Sequence, residues 1–519
     1  MVQENAIQKM LSCNVYNFNI ILIYLMTKKI CTNKMNFHDC ELAILRNAVD
    51  EIEAKMGRKK INNPEVEVII SIVEEFIRKR RRICYGGTAI NNILPEKDQF
   101  YNKDIELPDY DFFSPSPLKD AKDLADLYYK RGFTEVQASA GVHAGTFKVF
   151  VNFMPVADIT LLVPELYRNL LKKATNIAGI RYCPPNYLRM LMYLELSRPM
   201  GDASRWEKVL KRLSILNKVH PLVVKKCDVN SIQRIFETGY KKPTDSIGGS
   251  PSEENSAENI FMITRETLAN SGCVFFGAFA NRLYLKNTKA LSKKPIPKIP
   301  DFDVLSKEPV KIANILKDRL NDSGIRNVKI FKKPGVGEII APHYEVKVGG
   351  ETVVFIYEPL ACHSYNVHAI GGNKFKIATL DTMLSFYLAF LFTNRPYYNE
   401  KRILCMSRYL YDVQEKRKQS QQGLLKRFSI ECYGNHHTME EIRAEKAQIF
   451  KDLKKLNIKS GKKYEWYFLK YTPGKKTSSK NNTKKKRRFT RKRKRSFKKR
   501  KNKKRRRTRR KRRKTFGLF

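Results

Sequence analysis

Gly86, Gly87 and Thr88 close a strand-like run, residues 82–85, and lead into a short helix-compatible stretch. That layout brings backbone amides within reach of a phosphate. Further along, Asp109 and Asp111 alternate with Tyr110 in a second strand-like segment, and at a period of two both carboxylates leave the same face. Asp158 stands alone among Val156, Ala157, Ile159 and Leu161, a polar group projecting from a buried strand. Three carboxylates brought to one place repel one another and hold protons unless cations balance them. Two Mg2+ (or Mn2+) ions, which take hard oxygen ligands, meet that need. A lone Gly-Gly is a turn in most proteins, and an Asp-x-Asp pair is more often a solvated strand end. The weight therefore rests on all of these residues occurring together, in order, on strand-like segments.

The elements that must carry them follow from hydrophobic periodicity. Residues 39–55 and 65–82 read as helices, the second with Val66, Ile69, Val73, Phe76 and Ile77 on one stripe. A helix at 118–131 is ended by Gly132, and strands are expected at 133–138, 147–153 and 156–162. After Pro164 the pattern turns helical, through PELYRNLLKKA, NYLRMLMYLELSRP and WEKVLKRLSILNKV. The 21 residues between Gly87 and Asp109 are polar and Pro-bounded, and read as a surface loop. Residues 241–259, rich in Pro, Ser, Gly and Glu, read as a linker, and 440–457 as another amphipathic helix.

Beyond the linker the first half repeats. Against LPDYDFFSPSPLKDAKDLADLYYKRGF, the segment IPDFDVLSKEPVKIANILKDRLNDSGI keeps one offset of 192, so that Asp109 falls on Asp301, Asp111 on Asp303 and Gly132 on Gly324. With CVFFGAFANRLYL set against ICYGGTAINNIL, Phe276 falls on Gly86, which puts a bulky side chain where a phosphate would approach the backbone. VVFIYEP replaces VADIT, so the position of Asp158 falls on Phe355 or Ile356. The second copy is expected to be inactive, with Asp301 and Asp303 kept for capping or hydrogen bonding.

The Gly-Gly, Asp-x-Asp and distant Asp resemble the signature of the nucleotidyltransferase superfamily. The duplication, with SRPMGDASRWEKVLKRLSILNKVHP at 197–221, is similar to the viral poly(A) polymerase catalytic subunits of large nucleocytoplasmic DNA viruses. The resemblance covers roughly residues 60–425. It implies an α+β fold of tandem nucleotidyltransferase-like domains, the second degenerate. It implies also that Gly86, Gly87 and Thr88 cradle the triphosphate while Asp109, Asp111 and Asp158 hold two metal ions. The reaction implied is untemplated attack of an RNA 3′-hydroxyl on the α-phosphate of ATP. Candidate base and triphosphate contacts lie on the helices after the third strand: Asn186, Tyr187, Arg189, Arg205 and Lys208, although cations on helices are usually solvated. The alternatives are a terminal transferase of other nucleotide specificity and a non-catalytic RNA-binding scaffold. A homodimer or a stimulatory subunit, and residence in the virion and the host cytoplasm at viral factories, belong to the same expectation.

Composition agrees with a polyanion partner. The net charge is +50, and residues 474–519 hold 28 Lys or Arg with no Asp or Glu, leaving +22 on the rest. That tail has no apolar periodicity and is expected to be disordered in isolation and to hold RNA, through residues such as Lys484, Arg487, Arg493, Arg505 and Arg509. It lacks an interfacial-helix pattern, and the apolar stretch 15–26 is too short to span a bilayer, so no membrane partner is expected. Ten singly scattered cysteines suggest reduced thiols. The expected organisation is an extension at 1–34 that joins no core (Met35 being an alternative start), helices at 35–82 and a catalytic domain at 83–240. The linker, a degenerate copy at 260–425, a helical segment at 426–473 and the tail at 474–519 follow.

Overall fold

The computed structural model describes residues 30–32, 34–102, 105–224, 227, 257–285, 301–416 and 422–474. The expected linker as far as residue 256 and the basic tail from residue 475 lie outside them. Helices α1 (Phe37–Ile61) and α2 (Pro64–Arg80) precede the first sheet. Helix α2 starts where the Asn63 side chain accepts the Glu65 backbone N–H at 3.0 Å, with Pro64 in the first turn. It buries the expected stripe together with Ile72.

The first sheet is built from β1 (Ile83–Tyr85), β2 (Tyr110–Ser114), β3 (Val136–Ala140), β4 (Thr146–Val151), β5 (Met154–Leu161), β6 (Thr175–Ile177) and β7 (Ile180–Tyr182). Its spatial order is β3-β4-β5-β2-β1-β7-β6. Five helices flank it: α3 (Gly86–Ile93), α4 (Pro117–Lys130), α5 (Pro164–Lys173), α6 (Pro185–Leu196) and α7 (Trp206–Val219). Strand β4 buries alternate residues, as a half-covered antiparallel strand does, whereas central β2 buries all but Asp111. Phe133, expected in β3, belongs to the turn after α4, where Gly132 takes φ +98°.

After α8 (Ala257–Asn270), whose start moves the expected linker boundary back, the same architecture returns. Strands β8 (Val274–Phe276), β9 (Phe302–Leu305), β10 (Val328–Lys333), β11 (His343–Val348), β12 (Glu351–Tyr357), β13 (His363–Ile370) and β14 (Asn373–Ala378) lie in the order β10-β11-β12-β9-β8-β14-β13. Helices α9 (Ala278–Leu285), α10 (Pro309–Asp322), α11 (Leu380–Phe390) and α12 (Glu400–Lys416) repeat α3, α4, α6 and α7. Every residue of α11 is buried, because one side meets its own sheet region and another packs on α6 of the first copy. The equivalent helices α6 and α11 thus form the contact between the copies.

The chain then closes both sheets. Strand β15 (Cys432–Tyr433) extends the second sheet at β13. Helices α13 (Met439–Lys455) and α14 (Lys462–Phe468) return to the first copy, where Trp466 meets Phe147 edge-on and β16 (Lys470–Tyr471) pairs with β3. The reduced-thiol expectation is overturned: Cys31–Cys40, Cys227–Cys405 and Cys362–Cys432 are disulfide-bonded, while Cys84, Cys183 and Cys273 are free and buried. Two of the bonded pairs are 178 and 70 residues apart in sequence. Spacing cannot reveal such pairs, which only the folded backbone brings within disulfide reach.

Candidate active site

Strand register assembles the site. Tyr85 on β1 faces Asp111 on β2, Asp111 faces Asp158 on β5, and Asp158 faces Lys148 on β4. Four neighbouring strands therefore carry one polar row, with Asp109 two residues before Asp111 on the same face. Burial, followed by repulsion from Asp109 and Asp158, pushes the Asp111 carboxyl up to about 7, against the opposing charges of Lys148 and Arg205. Asp109 is raised by loss of solvent and by Asp158, with Lys148 working the other way. The Lys148 ammonium donates to Asp158. Tyr85 stacks on Phe113 and shares a 2.9 Å hydrogen bond with Thr160.

Helix α3 begins at Gly86, so its free amides open beside this row. Gly86 takes φ +75°, and a Cβ there would lie 2.4 Å from Asp111 Oδ2. Both facts require glycine. At Gly87 a Cβ would meet the Tyr101 hydroxyl at 2.3 Å and Arg212 Nη1 at 2.9 Å. Arg212 donates to the Tyr101 hydroxyl at 2.8 Å and lies over the rings of Phe100 and Tyr101, 4.8 and 5.4 Å from their centroids. The loop before Asp109 is thus more than surface. Its Phe100 and Tyr101 amides both donate to the Asn91 side-chain oxygen, at 2.8 and 2.9 Å, which folds the aromatic pair over the glycine turn.

Arg212 is the residue that sequence reasoning missed. The available signal was its position one helical turn beyond Lys208 on α7. Of the expected contacts, Arg205 pairs with Glu195 at 3.2 Å and its charge acts on Asp111. Lys208 is exposed on α7. Thr88 is buried, and its hydroxyl donates to the Asp109 carbonyl at 2.7 Å, so it fixes the start of β2 and does not offer that hydroxyl to a phosphate. Asn186, Tyr187 and Arg189 are structural, because α6 is sandwiched between copies. Arg189 is fully buried and donates to the side chains of Asn186 and Asn217 and to the His220 carbonyl, while Tyr187 packs edge-on against Phe113 and Phe392. Lys484, Arg487, Arg493, Arg505 and Arg509 lie outside the described residues.

The carboxylate row suits hard divalent cations by donor chemistry, and mutual repulsion among its members is what such cations relieve. It is not a closed cage: among the described residues no group of three or more His, Cys, Asp or Glu stands close enough to hold a metal as placed.

The second copy corrects the sequence alignment by one residue. Phe276 faces Asp303 as Tyr85 faces Asp111, and Gly277, at φ +82° with a Cβ position 2.2 Å from Asp303 Oδ2, is the counterpart of Gly86. Phe276 therefore replaces Tyr85, and Ala278 replaces Gly87. The expectation that Phe276 fills the phosphate approach is wrong. Asp303 faces Phe355, which stands where Asp158 does, and Phe355 faces Glu345, which stands where Lys148 does. Asp301 and Asp303 are both buried.

Two mixed sheets of identical order, each with a glycine turn opening a helix, define a nucleotidyltransferase-like α+β fold in which the first copy alone carries an aspartate on the strand beside the Asp-x-Asp pair. Residues 71–202, which contain that row, match the family described as Poly(A) polymerase catalytic subunit. A protein of African swine fever virus (isolate Tick/Malawi/Lil 20-1/1983) named as a poly(A) polymerase catalytic subunit is 29% identical over 191 residues, 36% of this chain and 40% of that protein. Its namesake from Acanthamoeba polyphaga mimivirus is 31% identical over 192 residues, 35% of this chain and 32% of that protein. The chain thus spans well under half the length of the curated relatives it matches. The crystal structure of the Megavirus polyadenylate synthase superposes with a TM-score of 0.66 at 19% identity, covering 85% of this chain and 88% of that one. The fold of both copies is therefore that of a viral polyadenylate synthase.

Proposed function

We propose that the chain transfers AMP from ATP to an RNA 3′-hydroxyl without a template and releases pyrophosphate. The observation that carries this reading is the Asp109, Asp111 and Asp158 row beside the N-terminus of α3, inside the segment that matches the polymerase family. The α3 amides and Arg212 receive the triphosphate, one as aligned dipoles and the other as a fork of donors. Asp109, Asp111 and Asp158 would hold two divalent cations, which supply charge neutralisation and a more acidic 3′-hydroxyl when bound. Asp158 stands at the β5 end of the row, where it orients the attacking hydroxyl's side of the site; Asp111, between the other two carboxylates, must be deprotonated to serve. Arg205 holds its charge toward Asp111 through the pair with Glu195.

RNA retention falls to the basic tail, whose many cations contact phosphates and release counterions at a salt slope of about −0.7 per phosphate on a single strand. Strand β16 and Gly474, packed on Tyr129 of α4, root that tail on the catalytic copy. We place the activity in viral mRNA processing, in the virion and the infected cytoplasm. Extension of an oligoribonucleotide with each NTP supplied separately tests the reading. Tails made with ATP alone support it, whereas equal use of UTP favours a transferase of other specificity. No extension by folded protein with Mg2+ or Mn2+ leaves the scaffold.

A further inference from the structure

Arg212 keeps unusual company for a half-buried cation beside a helix start. Among the described residues its guanidinium enters no ion pair, and its one side-chain hydrogen bond is the 2.8 Å donation to the Tyr101 hydroxyl. Glu195 feels its charge only from farther off, being itself paired with Arg205. A guanidinium is built to fork onto an anion, and a neutral phenol uses a single prong of that fork.

Position sharpens the mismatch. The Tyr101 hydroxyl and Arg212 Nη1 are the atoms nearest a Cβ position on Gly87, at 2.3 and 2.9 Å, so both stand against the turn where the α3 amides open. An oxygen that accepts from Arg212 beside those amides is what a phosphate would supply. Here a side chain of the protein supplies it.

Tyr101 also has room to withdraw. Its backbone is pinned, because the Phe100 and Tyr101 amides both donate to Asn91, yet its side chain borders a cleft of about 240 Å³ that Thr88, Asn91, Asn92, Glu106 and Tyr110 also line. A change of side-chain rotamer turns the ring without unfolding the loop. The Glu106 carboxylate at that cleft offers the released hydroxyl an acceptor.

We propose that Tyr101 is a displaceable stand-in for phosphate: its hydroxyl orients Arg212 in the empty site, yields it to the triphosphate of ATP, and reclaims it as pyrophosphate leaves. The role rests on the seating of the triphosphate at α3 and Arg212. A neutral oxygen is a weaker partner for a guanidinium than a phosphate oxygen, so the triphosphate wins the exchange, whereas a carboxylate in that place would hold on. The same hydroxyl competes with the departing product and so shortens its stay.

Inorganic pyrophosphate with Mg2+, titrated calorimetrically into the full chain, is the probe. Tyr101→Phe keeps the ring and removes the competitor, so pyrophosphate should bind about fivefold tighter than to the wild type. In extension assays the same variant should show a lower KM for ATP and inhibition by less pyrophosphate. Arg212→Gln should weaken pyrophosphate binding and abolish the gain from Tyr101→Phe when the two are combined. Equal or weaker binding by folded Tyr101→Phe overturns the proposal, because a hydroxyl that merely props Arg212, or itself binds phosphate, gives that result. A gain that persists beside Arg212→Gln overturns it as well. A wild type that binds no pyrophosphate removes the seating of the triphosphate and Tyr101's role together; binding that is lost on Arg212→Gln but not tightened by Tyr101→Phe removes the role of Tyr101 alone.

Discussion

The first copy exposes its carboxylates to a glycine-lined helix end, while the second, built on the same strand order, seals its carboxylates in the core. The difference is concentrated in one row across four strands. Tyr85, Asp111, Asp158 and Lys148 in the first copy become Phe276, Asp303, Phe355 and Glu345 in the second. Gly86 and Gly277 are kept in both, at the same left-handed conformation and against the same carboxylate oxygen. The close approach of helix to strand is thus a requirement of the fold. The second copy has no counterpart of Asp158 or Gly87, and its carboxylates are buried.

The sharpest way to break this contrast is to exchange the roles. Asp111→Asn or Asp158→Asn should lower extension by at least about 10²–10³-fold, with RNA affinity retained in a filter-binding assay. Asp301→Asn combined with Asp303→Asn should keep the extension rate per folded molecule, though the melting temperature falls. An equal loss of rate in folded protein would make the second copy a working site.

Phe355→Ala should cost about 3–5 kcal/mol in denaturant unfolding, since it empties a fully buried aromatic position. Asp158→Ala, its spatial counterpart, should move the unfolding midpoint far less while removing activity. Similar destabilisation by both would mean that the first row is structural as well.

The glycine pairs divide in the same manner. Gly86→Ala and Gly277→Ala should each destabilise by about 1–2 kcal/mol from backbone conformation alone, with an added clash against the aspartate. Gly87→Ala should chiefly raise the KM for ATP, because its methyl meets Tyr101 and Arg212, whereas Ala278→Gly should be silent in extension. A Gly87→Ala enzyme with unaltered KM would remove Arg212 from the triphosphate.

The smallest effect is one of pH. Asp111 is held up to about 7 in the folded chain, above its ordinary 3.8. A carboxyl raised on folding stabilises fully below its unfolded value, and that contribution is lost as pH rises through the folded value. In EDTA the melting temperature of the wild type should therefore drift down by a few degrees between about pH 4 and pH 7, relative to Asp111→Asn. Excess Mg2+ should reverse the drift at pH 8. Parallel curves for the two proteins would contradict the repulsion in the row.

Periodicity showed most of the elements because their burial is local: the stripe of α2 and the alternation in β4 are written in consecutive residues. The carboxylate row was legible for the same reason, since Asp109, Asp111 and Asp158 stand in strand-like runs. Phe276 was misplaced because the repeat carries different offsets on its two sides of α9, and only strand register shows that Gly277, one residue on, keeps the left-handed turn. Asn186, Tyr187 and Arg189 followed a correct helix, but its burial against α11 depends on a partner almost 200 residues away. Arg212 was hidden by its ordinary setting on a charged helix. Its distinction comes from Phe100 and Tyr101, which Asn91 folds back from a loop that looks like filler.

The contact of α6 with α11 joins equivalent helices of the two copies, as an isologous dimer interface joins equivalent surfaces of two subunits. Here the subunits share one polypeptide. Dilution cannot separate them, and each first copy is always delivered with one second copy at fixed stoichiometry. The second copy has lost the counterpart of Asp158 but not its packing on α6, so substitutions in α11 are constrained by a neighbour they can never leave.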